Sequence, residues 1–234
     1  MRGRLADLHA EAARLAGTTI SSMVADDPQR VSDFSMRVGP LYANFARQRY
    51  DRLGLETLFG IAEQANVSSA MQRLIDGETV NTTEGRPALH TALRGESSST
   101  SAARDARAQA LAALERMRLM IEMLSASDVT DIVSIGIGGS DLGPRLMVDA
   151  LALPDARFRV HFMSNVDGNA AQRVLGRLDP ARTAALVISK TFGTQETLLN
   201  GGVVREWLGD EARLFAVSSS LERVAAFGIP PERS

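Results

Sequence analysis

Ile135-Gly136-Ile137-Gly138-Gly139-Ser140-Asp141-Leu142-Gly143-Pro144 is the stretch on which the reading of this chain turns. A short apolar run, Asp131 to Ser134, precedes it, and a helix-like run, Leu142 to Leu151, follows it. The order is strand, glycine turn, helix. Three glycines ahead of a serine remove side chains where a backbone must approach a ligand closely. The helix that follows turns its unpaired N–H groups and the positive end of its dipole into the turn. Such a turn suits a phosphate. A tight strand-to-helix turn with no ligand has the same glycines, and the stretch alone does not separate the two.

Two nucleotide fingerprints fail on it. A Rossmann turn needs G-x-G-x-x-G, and Asp141 stands at the third glycine. A P-loop needs G-x-x-x-x-G-K-[ST]. Gly138 and Gly143 keep that spacing, but Pro144 and Arg145 occupy the Lys and Ser/Thr positions. A phosphate on something other than a nucleotide stays open. Gly138 and Gly139 are expected where a Cβ would crowd either the turn or that phosphate.

A second segment has the same design. Leu186-Val187-Ile188 reads as a buried parallel strand and runs into Ser189-Lys190-Thr191-Phe192-Gly193-Thr194-Gln195-Glu196-Thr197, before a helix-like stretch from Glu196 to Leu208. Hydroxyls and backbone N–H groups are neutral donors for phosphate oxygens, and lysine adds charge. Thr194 alone could cap the helix. A cap does not account for Ser189, Thr191 and Thr197 as well.

Outward from these segments the chain alternates. Strand-like runs at Ile132 to Ile135, Phe158 to Met163, Ala185 to Ile188 and Leu214 to Val217 are separated by helical patterns. That predicts an α/β fold of βαβ units on a parallel sheet, with ligands beyond the carboxyl ends of the strands. The first part reads helical: Leu5 to Leu15, Leu55 to Ala65 and Ala70 to Ile75 carry apolar residues at three-to-four spacing. Asp26-Asp27-Pro28 reads as a helix start. Gly95 to Ser101 reads as an exposed linker. A long Ala/Leu-rich helix from about Arg104 to Leu124 follows. The expected division is a helical region, 1–126, and an α/β domain, 127–234.

Composition narrows the function. The 234 residues are 44% hydrophobic and carry a net charge of −2, so no strong pull on nucleic acid or acidic membrane is expected. No cysteine is present, which removes disulfides and thiol chemistry and is compatible with a cytoplasmic home. The first nine residues carry charges where a signal peptide needs an apolar core, and no apolar run is long enough to span a bilayer. His9, His90 and His161 are scattered without metal-ligand spacing and are read as structural, so no metal site is expected. Asp167 shapes the loop Ser164 to Gly168. Trp207 packs. Glu196 either orients a catalytic group or is a first-turn acid favoured by the helix dipole.

In four segments the chain resembles the glucose-6-phosphate isomerase (phosphoglucose isomerase) family. They are Ile135 to Pro144, Ser164-Asn165-Val166-Asp167-Gly168, Ser189 to Thr197, and Asn81-Thr82-Thr83-Glu84-Gly85-Arg86-Pro87-Ala88-Leu89-His90-Thr91-Ala92-Leu93-Arg94. Their order and spacing fit from about residue 20 to the end. Departures are Gly85 for the usual Asp, Gly193 for Thr, Asn169 for Thr, and a loose Asn44-Phe45-Ala46-Arg47 for Asp-Tyr-Ser-Lys. The resemblance implies a sugar-isomerase-type (SIS), flavodoxin-like three-layer domain preceded by helices. It implies reversible isomerisation of glucose 6-phosphate and fructose 6-phosphate through a cis-enediol, without metal or organic cofactor. In that reading Ser140, Ser189, Thr191 and Thr194 contact the phosphate, helped by backbone N–H groups near Gly139 and Lys190. The second SIS-type domain, the base, the ring-opening histidine and the groups that complete a cytoplasmic homodimer are not located in this sequence, so the chain reads as an N-terminal part expected to be inactive alone. A non-catalytic sugar-phosphate sensor is the alternative reading.

Overall fold

A parallel sheet of four strands sits in the C-terminal part of the chain. The computed structural model describes residues 2–95 and 98–234. The chain divides into two compact units, Met1–Arg107 and Ala108–Ser234.

The first unit contains α1 (Arg2–Arg14), α2 (Ile20–Asp26), α3 (Arg30–Asp33), a hairpin of β1 (Ser35–Val38) and β2 (Leu41–Asn44), α4 (Arg52–Gln64) and α5 (Val67–Asp76). The three expected helices are present. Caps set where they begin. The Asp51 carboxylate accepts from the Gly54 N–H at 2.9 Å, so α4 starts at Arg52, ahead of its first expected residue. Asp26-Asp27-Pro28 is not itself a helix start, because α2 ends at Asp26 and Asp27 closes it. The next helix begins at Arg30, after Asp27 accepts from the Gln29 N–H at 3.1 Å. Arg30, 1% exposed, organises the centre of this unit. Its guanidinium donates to the carbonyls of Ala46 (2.7 Å), Gln48 (2.8 Å) and Tyr50 (2.7 Å), and lies 4.5 Å over the Phe34 ring.

The expected linker is only partly one. Residues 96 and 97 lie outside the described residues. Ser98 and Thr100 are tied down: their hydroxyls donate to the Asp76 carboxylate and carbonyl, each at 2.6 Å. Thr100 Oγ1 also accepts from the Ala103 N–H, which places the start of α6 (Ser101–Ser125) three residues earlier than expected.

The second unit holds β3 (Asp131–Ile135), α7 (Gly139–Leu151), β4 (Arg159–Met163), α8 (Gly168–Leu175), β5 (Thr183–Ile188), α9 (Gln195–Leu208), β6 (Leu214–Val217) and α10 (Leu221–Ala226). All strand pairs are parallel, in the order β4-β3-β5-β6. Ile135 pairs with both Met163 and Val187, so three strands end nearly level. Strand alternation separates two cores. Val133, Ile135, Ala185, Val187, Leu214 and Ala216 face Ala171, Leu175, Val204, Leu208 and Val224 of α8, α9 and α10. Ala184 and Phe215, with Ile132 and Leu186, face Met120 and Leu124 from the second half of α6. On that face α7 lies against β3 and β4, with Arg145 stacked 4.5 Å from the Phe162 ring. Helices therefore cover both sides of the sheet in a three-layer α/β arrangement.

Candidate functional site

The strand order creates a crevice. From β3 the chain crosses to β4 on one side, then returns past β3 to β5 on the other. The connections leave β3 and β5 in opposite directions, and beyond their carboxyl ends the loops part. Ligands bind open parallel sheets at such a switch point. The two segments singled out in the sequence, 136–140 and 189–197, flank this one.

Two of the three glycines in the loop are required by the turn, for different reasons. A Cβ on Gly136 would lie 2.7 Å from the Ser140 carbonyl oxygen and 2.9 Å from Ser140 Cβ, so this position admits only glycine. Pro144, inside α7, has no N–H to offer that Ser140 carbonyl four residues back. Gly138 has φ +58° and ψ −122°, a conformation that side chains disfavour. Its carbonyl then accepts from the Asp141 N–H at 3.0 Å and the Leu142 N–H at 2.8 Å, which opens α7. Gly139 differs from expectation. Nothing lies within 4 Å of its Cβ position, so the turn does not require it. It is exposed beside half-buried Ser140, at the first residue of α7. Gly136, counted among the three glycines but not singled out for a crowded Cβ, carries the steric constraint instead.

The second loop is held more tightly. Ser189 is 3% exposed, its N–H donates to the Val217 carbonyl at 3.0 Å, and its hydroxyl lies 3.2 Å from the Thr194 hydroxyl. Thr194 precedes α9 but makes no side-chain cap bond, so helix capping does not explain its hydroxyl. Thr197 Oγ1, buried one turn further on, has no hydrogen-bond partner among the described residues. Phe192 takes φ +47°, a left-handed conformation costly for an aromatic residue. Burial of its ring to 2% exposure, edge-on to Phe227 at 5.6 Å, holds it there. That turn leaves Lys190 and Thr191 exposed between two fixed points.

Other expected residues fall outside the crevice or serve the scaffold. Asp167 accepts from the N–H groups of Asn169 (2.8 Å) and Ala170 (3.1 Å), capping α8. Trp207 packs against the larger core. Glu196 is exposed in the first turn of α9. His161 sits mid-strand in β4, its Nε2 2.8 Å from Asp131 at the amino end of β3. Arg159 bonds the same carboxylate at 2.6 and 2.8 Å, and Thr130 adds a bond at 2.8 Å. Hydrogen bonds from Arg159 first, then His161 and Thr130, hold the Asp131 carboxyl well below the usual carboxylate range. Among the described residues, no three His, Asp or Glu side chains converge as metal ligands. No described helix is long and apolar enough to cross a membrane.

Sequence reasoning missed Ser218-Ser219-Ser220, between β6 and α10. The Ser219 N–H and hydroxyl and the Ser218 hydroxyl all donate to the Lys190 carbonyl, at 3.0, 2.6 and 3.1 Å. Three serines directly after a strand were the available signal.

Comparison with known proteins bears on this geometry. The family described as Phosphoglucose isomerase matches residues 44–234. The chain is 58% identical over 228 residues to the glucose-6-phosphate isomerase of Xanthomonas axonopodis pv. citri (strain 306), covering 97% of this chain and 45% of that protein. The corresponding protein of Xanthomonas campestris pv. campestris (strain B100) gives the same figures. The chain thus spans a little under half the length of the curated relatives it matches. Among solved structures, the glucose-6-phosphate isomerase of Chlamydia trachomatis D/UW-3/Cx superposes with a TM-score of 0.74 at 27% identity, over 91% of this chain and 44% of that one.

Proposed function

The chain belongs to the phosphoglucose isomerase family, and from that premise we propose that its α/β unit grips the phosphate of glucose 6-phosphate or fructose 6-phosphate for aldose–ketose isomerisation. One observation carries the reading: two hydroxyl- and glycine-bearing loops flank the switch point of a parallel sheet. Gly139, Ser140, Ser189, Lys190, Thr191 and Thr194 form the grip. Ser140, Ser189, Thr191 and Thr194 offer hydroxyls, the start of α7 offers N–H groups, and Lys190 brings a positive charge. Neutral donors and one cation suit a dianion that must also leave.

The grip serves catalysis at a distance. Phosphate binding energy holds the sugar chain so that a carboxylate can move a proton between C2 and C1. Carboxylates near these strand ends are already engaged: Asp141 is paired with Arg145 at 2.8 Å, and Asp167 caps α8. Glu196 is a supporting group at most. The shuttle base, the partner-subunit histidine and the dimer contacts belong, in this reading, to the part of the relatives that these 234 residues do not span. The protein would work in cytoplasmic sugar-phosphate metabolism.

A coupled assay with fructose 6-phosphate, run beside a full-length relative, tests the reading together with a binding titration. Saturable binding without turnover is expected. Turnover within about tenfold of the control, or roughly 1.4 kcal/mol of barrier, would place the catalytic groups in this chain. No binding of either sugar phosphate would remove the grip itself.

A further inference from the structure

The segment from β6 into α10 hydrogen-bonds two backbone carbonyls of the candidate phosphate loop. Lys190 O accepts from Ser219 N–H, Ser219 Oγ and Ser218 Oγ at 3.0, 2.6 and 3.1 Å. A carbonyl has two lone pairs, so three donors over-determine its direction. Ser218 Oγ is itself held by the Ser220 N–H at 3.0 Å. One residue on, Thr191 O accepts from Arg223 Nη1 at 3.2 Å. The space for that guanidinium exists because residue 193 is glycine: a Cβ there would lie 2.8 Å from Arg223 Nη1.

A trans peptide points its C=O and N–H in opposite directions. Pinning the Lys190 carbonyl toward β6 therefore turns the Thr191 N–H the other way, toward the β3 side of the sheet, where the glycine loop lies. We propose that Ser218, Ser219 and Arg223 are positioning residues that aim the Thr191 backbone N–H into the phosphate crevice. This rests on the reading of residues 189–194 as a phosphate grip. None of the three touches the ligand. They fix the donor in advance, so that binding does not have to order it.

The test uses the 234-residue chain, with inorganic phosphate and fructose 6-phosphate as probes and the Thr191 amide resonance as reporter. Ser218→Ala/Ser219→Ala is expected to bind both probes about tenfold more weakly, the scale of one hydrogen bond. Its Thr191 amide should shift less at saturation, with a melting temperature near wild type because Ser219 is exposed and Ser218 only half-buried. Ser218→Ala/Ser219→Thr keeps one hydroxyl and should recover most of the affinity. Arg223→Ala, which disturbs no buried group, should show a smaller loss in the same direction. Wild-type affinity and wild-type Thr191 shift in both the serine double variant and Arg223→Ala, while Ser189→Ala still weakens binding, would overturn the positioning role and leave the grip standing. If the unmodified chain binds neither probe, the grip falls and this proposal with it.

Discussion

The two ends of the parallel sheet use polar chemistry in opposite ways. At the amino end, Asp131 is 3% exposed and its carboxylate is closed by Arg159, His161 and Thr130. Charge there is matched within the protein. At the carboxyl end, Ser140, Ser189, Thr191 and Thr194 gather hydroxyls and helix N–H groups, Lys190 is held by its backbone while its side chain stays exposed, and the Arg223 guanidinium is spent on the Thr191 carbonyl. An ion cluster closed in this way turns its donors to its own carboxylate rather than to a ligand. A set of oriented neutral donors, beside the left-handed turn at Phe192, is what the proposed phosphate grip requires. The contrast implies that substitutions at the carboxyl end reach binding, with or without folding, while those at the amino end act on folding alone.

The hardest test of that division is Gly136→Val. Backbone, not a flexible side chain, blocks the new Cβ at 2.7 Å. Both the turn and the start of α7 must move. Overpacking of this kind costs about 1–3 kcal/mol or more, and phosphate binding should vanish with it. Urea unfolding together with a phosphate titration measures both. A stable variant that still binds would show that the turn is not rigid.

Gly139→Val should cut more selectively. The position is open on the protein side and lacks a left-handed φ, so the melting temperature should stay near wild type. Binding should be lost if the phosphate approaches the backbone there. Normal affinity in a folded Gly139→Val chain would reduce the glycine loop to a structural turn.

The sheet unit was legible in the sequence for a physical reason. Central parallel strands are buried on both faces and read as unbroken apolar runs, as Leu186-Val187-Ile188 does. The crevice was legible because glycines and hydroxyls directly after such runs have few structural uses. What escaped was structure not written in hydrophobicity. The β1–β2 hairpin exposes Met36, Val38, Leu41 and Tyr42, so no buried face marks it; its turn residue Gly39, at φ +57°, was the available signal. Arg30 escaped because an arginine is expected outside, whereas here its fork is satisfied by three carbonyls. The serines of 218–220 escaped because they act on a carbonyl, and the direction of a carbonyl is invisible in a sequence.

Ser189→Ala and Thr191→Ala should each weaken phosphate or fructose 6-phosphate binding by roughly 1–3 kcal/mol, the scale of hydrogen bonds to a charged group. The two are expected to be non-additive, because they share one loop. Ser189→Ala also removes the contact with Thr194, so its loss should be the larger in a calorimetric titration. Unchanged affinity in the double variant would sink the assignment of this loop.

The smallest expected effect lies at the other end of the sheet, and it fixes the comparison. Asp131→Asn keeps the shape but removes the charge that Arg159 and His161 face. The Asp131 carboxyl is depressed in the folded protein, chiefly by the Arg159 hydrogen bonds. The unfolded chain, with an ordinary Asp near about 3.9, then binds more protons than the folded one in the interval between the two values. Stability from this group is therefore complete above about pH 4 and is lost as pH falls toward the depressed folded value. The Arg159 side chain is 71% exposed, and solvent screens the pair. The loss on Asp131→Asn at pH 7 is accordingly put at about 1 kcal/mol, below the usual range for bonds to a charged group because the pair is screened. Below about pH 4 the gap between wild type and variant should narrow. Phosphate affinity should not change, because the substitution is a full strand length from the crevice. A variant that melts like wild type at pH 7 but binds phosphate more weakly would reverse the roles assigned to the two ends.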